Sequence, residues 1–203
     1  VRGVEELKLQ DYKVIPDRIE AGSYILATMA TKGRLKLNNF NPRDLTFPLK
    51  VYKEMGLKIK KLSNSSYEIY CKTLKPIKKI STKEFPGYPT DLQAQLIATQ
   101  LKSGLKSKVV ENIFENRFIH IPELRRFGAN LSIKGKTVTI DKTSDLQGAE
   151  VMATDIRASF SLIIAAMMSK GKTVINRIYH LDRGYEDFDL KLKKCGVNIS
   201  RKK

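Results

Sequence analysis

Two sets of glycines recur in this chain with one shared period, and that period limits the fold more than any other feature. An apolar, helix-compatible run ends at a glycine three times: SYILATMATKG at Gly33, LQAQLIATQLKSG at Gly104 and ASFSLIIAAMMSKG at Gly171. A short strand-like run follows each of them, RLKLNNF, SKVVENI and KTVINRI. A second amphipathic run then closes at Gly56 (FPLKVYKEMG), Gly128 (IPELRRFG) and Gly196 (GYEDFDLKLKKCG). The alternating runs LKIKKL, ANLSIKG and VNISRKK come next and read as strands. A glycine just past a helical run accepts the left-handed backbone that ends a helix. The spacings are 71 and 67 residues in the first set, and 72 and 68 in the second. Two independent landmarks holding one period make the chain a threefold repeat.

Each unit reads strand, helix, strand, helix, strand, with a further strand such as YEIYC or TVTI. The fold class is therefore α/β (α+β), and an all-helical fold is excluded. The repeats fall at about 16–80, 81–146 and 147–203 and together form one domain. Residues 1–15 read as the end of a preceding domain, and KVIPDRIEAG as a linker into the first helix. With 41% hydrophobic and 29% charged residues the chain has enough apolar surface for a sizeable core. No stretch approaches the roughly 18 uncharged apolar residues of a membrane span, and VRGVEELKLQ carries no secretory pattern. With Cys71 and Cys195 alone there is no disulfide framework, which suits a reducing, cytoplasmic setting. The absence of an initiator Met suggests a piece of a longer chain.

An arginine recurs just ahead of the second helix of each unit: Arg43 in NPRDL, Arg117 in FENRFIH and Arg183 in LDRGYE. Helix N-termini present unpaired N–H groups to anions, and a guanidinium there adds a planar fork for carboxylate or phosphate. Arg157, next to Asp155 in VMATDIRAS, lies at the turn into the first helix of the third unit, and Asp91 in PGYPTDLQAQ at that of the second. A lone arginine of this kind is ordinarily a surface ion pair worth little. Three units converging on an axis would instead gather these turns at one end. Asp91 and Asp155 read either as N-caps or as a base facing the arginines.

The remaining features carry less. The net charge of +17 favours an anionic partner, yet the lysines are scattered and no aromatic-interleaved RNA-binding motif accompanies them. His120 and His180 lack a neighbouring nucleophile, neither cysteine has the setting of an activated thiolate, and there is no metal-ligand spacing or phosphate-binding glycine loop. No metal and no cofactor are expected.

Four motifs resemble a known family: PTDLQAQ (89–95), FENRFIHIPELRRFGA (114–129), GAEVMATDIRAS (148–159) and RIYHLDRGYED (177–187). In this order and spacing they are similar to the UDP-N-acetylglucosamine 1-carboxyvinyltransferases, the enolpyruvyl transferases that open bacterial peptidoglycan synthesis. The resemblance runs from about residue 3 to about 200. It implies an inside-out α/β domain of three βαβαββ units, corresponding to the C-terminal half of the family's two-domain fold. The implied substrates are phosphoenolpyruvate and UDP-N-acetylglucosamine, and the implied partner is the N-terminal domain.

The resemblance assigns roles residue by residue. Asp91 is the implied base at the sugar 3′-hydroxyl, and Ile113, with Phe114 beside it, is implied in UDP-sugar contact. Arg117, Arg157 and Arg183 are implied around the phosphoenolpyruvate, with Asp155 close by. Arg43 has no matching motif and stays outside the site. The family's proton-donor cysteine, the one fosfomycin alkylates, belongs to the other domain, so this chain holds half an active site. Tyr88, Ile156 and Phe160 depart from the family pattern as apolar or aromatic swaps. The alternatives are a shikimate-pathway enolpyruvyl transferase domain of the same fold and a basic nucleic-acid-binding module.

Overall fold

A computed structural model describes residues 2–6, 8 and 10–202; Val1, Leu7, Leu9 and Lys203 lie outside the described residues. Three helices form its centre: α1 (Arg18–Ala30), α3 (Gln93–Gln100) and α5 (Ala158–Met168), packed against one another. α5, ASFSLIIAAMM, is apolar on nearly every side, so no face of it suits solvent and its stable place is the interior. All of α3 is buried, as are residues 158–165 of α5. The few hydroxyls among them bond back to the preceding turn, Ser23 Oγ to the Ile19 carbonyl, Thr28 Oγ1 to Tyr24 and Thr99 Oγ1 to Gln95.

Each unit has its own sheet. The first unit supplies β1 (Arg34–Leu37), α2 (Thr46–Glu54), β2 (Lys58–Lys61) and β3 (Tyr67–Tyr70), with strand order β1-β3-β2, all antiparallel. Its inward row sets Ile69 between Leu35 and Ile59. The second supplies β4 (Lys79–Ser81), β5 (Ser107–Val110), α4 (Ile121–Arg126), β6 (Leu131–Lys134) and β7 (Thr137–Ile140), ordered β4-β5-β7-β6 with β4 and β5 parallel. The third supplies the parallel pair β8 (Glu150–Met152) and β9 (Val174–Asn176), then α6 (Tyr179–Asp182) and α7 (Phe188–Lys194). Among the described residues no helix is long and apolar enough to cross a membrane.

The full βαβαββ order appears only in the second unit. The first has no strand ahead of its helix, where residues 10–17 are irregular and mostly exposed. The linker reading of KVIPDRIEAG ends early, because α1 already begins at Arg18: Asp17 caps it through Ile19 N at 2.7 Å and Glu20 N at 3.1 Å. The expected final strand in VNISRKK does not form over 197–202. Its counterparts β2 and β6 are edge strands held only by β3 and β7, and no described strand plays that part here. Arg201 secures this segment instead, through Asp182 and Asp189.

Five of the six landmark glycines adopt positive φ, and at Gly56 (φ +108°) a side chain would also run into the Thr73 carbonyl. Gly33 is the exception, since the left-handed residue in that turn is Lys32 at φ 54°.

Phe160 stands where the central helices meet, fully buried, stacked on Tyr185 at 4.6 Å and edge-on to Tyr24 at 5.5 Å. The swap against the family pattern is thus built into a packed aromatic group. Phe160→Ala is expected to cost about 3–5 kcal/mol, read as a lowered urea midpoint, and Phe160→Leu clearly less.

Candidate active site

Each central helix is entered through an aspartate, and the three aspartates are used differently. Asp155 accepts from Arg157 N at 2.8 Å and Ala158 N at 2.7 Å, so its carboxylate is occupied in capping α5. Asp17 caps α1 with Oδ1 and turns Oδ2 to Arg157 at 3.4 Å. Asp91 sits in a 3-10 turn, Thr90–Leu92, ahead of α3, where no side chain caps either element. The N-cap reading therefore holds for Asp155 and fails for Asp91. The Asp91 carboxylate meets Arg117 Nη2 at 2.6 Å instead, while Arg117 Nη1 donates to Thr90 Oγ1 at 3.0 Å.

Arg117 belongs to the turn leading into α4, with its guanidinium over the Phe114 ring at 4.8 Å. Phe114 is 55% exposed and supplies a plate that fixes the plane of the fork. Arg157, in the turn that enters α5, lies over the Tyr185 ring at 5.4 Å and donates to the Gly184 carbonyl at 3.3 Å. Arg183 is exposed, and among the described residues no carboxylate pairs with it.

One polar junction joins these parts. The Gln95 amide nitrogen lies 2.9 Å from the Asp91 carbonyl, 3.1 Å from the Tyr185 hydroxyl and 3.1 Å from Ser23 Oγ. Tyr185 and Ser23 are 2.8 Å apart, and Ser23 donates on to Ile19. Burial pushes the Tyr185 hydroxyl above its ordinary pKa, so it stays a neutral donor. Asp91 and Arg157 thus stand on two sides of one buried group drawn from all three units. Beside it opens a cleft of about 800 Å³ lined by Arg157, Arg183, Tyr185 and several carboxylates, Asp17 among them. A second cleft of about 330 Å³ is lined by Ile113 with Thr82, Lys83, Tyr88 and Asn112. Asp91 and Arg117 line neither cleft; the Arg117 turn connects to the second through Ile113.

The sequence reading missed Asp17, Thr90, Gln95 and Tyr185. A visible signal existed for Asp17, an aspartate at the turn into an apolar helix like Asp91 and Asp155. Gln95 and Tyr185 gave none, because their role depends on a junction between residues 90 apart in sequence.

The family profile described as EPSP synthase (3-phosphoshikimate 1-carboxyvinyltransferase) matches residues 1–192. The UDP-N-acetylglucosamine 1-carboxyvinyltransferase of Pelagibacter ubique is 49% identical over 203 residues, which is 99% of this chain and 48% of that protein. The protein of the same name from Bartonella henselae is 45% identical over 204 residues, again 99% of this chain and 47% of that protein. The chain thus spans about half the length of these relatives. Among solved structures, the enolpyruvyl transferase NikO from Streptomyces tendae superposes with a TM-score of 0.82 at 25% identity, covering 92% of this chain and 44% of that one. EPSP synthase from Acinetobacter baumannii gives 0.68 at 15% identity over 91% of this chain, a likeness of fold.

His120, three residues beyond Arg117, is 1% exposed, and among the described residues both ring nitrogens lack a partner. Burial, with Arg117 nearby, holds its pKa down at about 3. The unfolded chain takes up this proton as pH falls through about 6.5, whereas the folded chain does not until about 3. In that window the unfolded state binds more protons, so stability is lost as pH falls, by up to about 1.4 kcal/mol per unit. Urea midpoints are expected to drop between pH 7 and pH 5, and His120→Leu to flatten that slope.

Proposed function

The chain belongs to the EPSP synthase family, and from that premise we propose that it forms the C-terminal half of a two-domain enzyme acting on phosphoenolpyruvate and UDP-N-acetylglucosamine. That enzyme transfers the enolpyruvyl group to the sugar 3′-hydroxyl and releases phosphate, the first committed step of peptidoglycan synthesis, in the cytoplasm. The observation that carries this reading is Asp91, the one entry-turn carboxylate left outside backbone capping, set against Arg117 at 2.6 Å on a junction shared with Arg157. Relatives named for the UDP-sugar reaction are 45–49% identical along 99% of this chain, which favours that substrate over the shikimate one.

The residues then divide the chemistry. Phosphoenolpyruvate brings a carboxylate and a phosphate that repel each other and are costly to strip of water. Arg117, Arg157 and Arg183 offer forks to both anions and stabilise charge as it redistributes in the tetrahedral intermediate. Asp91 accepts the 3′-hydroxyl proton as that oxygen bonds to C2 of the enolpyruvyl group, while C3 takes a proton from an acid on the partner domain. Loss of a C3 proton and of phosphate then restores the double bond. The Ile113–Phe114 turn and its cleft accommodate the UDP-sugar, and Asp155 holds the turn that carries Arg157. No metal or cofactor has a step in this scheme.

Residues 1–15 are read as the end of the preceding domain and 16–203 as the three-unit domain. The half-site has a direct consequence. With one wall of the cleft missing, the arginines face high dielectric, where each anion contact is worth about 1 kcal/mol. The 203-residue chain alone is expected to release no phosphate from the two substrates and to bind either no tighter than about millimolar. In the two-domain enzyme, Asp91→Ala is expected to lower turnover by about 10²–10⁴-fold with its urea midpoint little changed. Phosphate release checks both, and turnover by the isolated chain would overturn the half-site reading.

A further inference from the structure

Glu111, the residue after β5, carries a buried carboxylate that the scheme above does not use. It is 1% exposed, and among the described residues no lysine or arginine forms an ion pair with it. Its compensation is by hydrogen bonds alone. Oε1 accepts from Thr82 Oγ1 at 2.8 Å, Ile113 N at 2.8 Å and Phe114 N at 3.2 Å. Oε2 accepts from Thr90 Oγ1 at 2.7 Å. A hydroxyl has one proton, and that of Thr90 goes to Glu111, so Thr90 turns only lone pairs toward Arg117 Nη1 at 3.0 Å.

We infer that Glu111 is a positioning residue for Arg117, acting through the Thr90 hydroxyl, and so sets the guanidinium for the phosphoenolpyruvate anion. This rests on the function proposed above. The two oxygens of Glu111 do separate work: Oε1 folds the Ile113–Phe114 turn, and Oε2 fixes the direction of the Thr90 proton. A glutamine of the same shape separates them. Its carbonyl oxygen serves the turn from the Oε1 place, while its NH₂ at the Oε2 place donates to Thr90. The Thr90 proton is then released toward Arg117, and the guanidinium meets a donor where it had an acceptor.

The test uses the two-domain enzyme with Glu111→Gln, Thr90→Val, their combination, and Thr90→Ser. Both single changes are expected to lower kcat/KM for phosphoenolpyruvate by about 10–100-fold, with the double variant no worse than about threefold below the weaker single. Calorimetric affinity for UDP-N-acetylglucosamine should stay within about threefold of the parent in Glu111→Gln, and Thr90→Ser should recover most of the loss. Effects that multiply, a Glu111→Gln value within about twofold of the parent, or an equal loss of UDP-sugar affinity would each overturn the inference. Should Glu111→Gln fail to fold, the Val and Ser variants of Thr90 decide it. The Arg117 guanidinium resonance gives a readout independent of substrate: restricted rotation in the parent, released in both single variants. A parent without transfer activity would remove the proposed function, whereas an Arg117 resonance indifferent to both variants would remove the relay alone.

Discussion

Three largely buried helices meet at the centre of this domain, and the placement of the candidate functional groups at their N-terminal turns depends on that contact. A helix such as ASFSLIIAAMM is stable only when surrounded, so the sheets are arranged outside and the helix N-termini are left to emerge together. The end of the bundle is closed by a side chain from each unit, Ser23, Gln95 and Tyr185. The Ser23 hydroxyl, the Tyr185 hydroxyl and the Gln95 amide nitrogen each find a partner there, while Gln95 Oε1 has none among the described residues. The same bonds bring Asp91 and Arg157, from different units, to the rim of one junction.

The repeat supplies similar positions, and local chemistry then makes them unlike. An aspartate at a helix entrance ordinarily satisfies free N–H groups, and Asp155 does only that, while Asp17 divides itself between capping and Arg157. At α3 the entrance is a 3-10 turn, which leaves Asp91 without a backbone task. A side chain released from capping is available for chemistry. The Asp17–Arg157 pair spans 140 residues, so the cap of α1 also holds a guanidinium at the entrance of α5.

The glycine period was sufficient to read the helices and most strands, because helix-ending backbone and hydrophobic patterning are local properties. Even there the local rule slipped at Gly33, where Lys32 takes the left-handed turn. The strand read at VNISRKK failed for a different reason: its alternation is right, but a strand exists only against a partner, and pairing is not written in the segment itself. As candidates, Asp91, Arg117 and Arg157 were legible through motifs. Thr90, Glu111, Gln95 and Tyr185 were not, since each is an ordinary residue until the fold places a specific partner 21 to 90 residues away beside it.

The surroundings of Arg117 and Arg157 hold each guanidinium in a fixed orientation. Two guanidinium groups near one junction repel each other, and in water a long side chain keeps its rotamer freedom. Each fork is held from three directions: a carboxylate in front, an aromatic face below, and a neutral oxygen at the side, Thr90 for Arg117 and the Gly184 carbonyl for Arg157. The carboxylates balance the charge, and the aromatic plates and neutral oxygens fix geometry without competing strongly for it. An arriving anion can therefore displace a carboxylate from one edge of the fork while the plate and the neutral oxygen stay in place. Preorganisation of this sort lowers the ordering cost of binding.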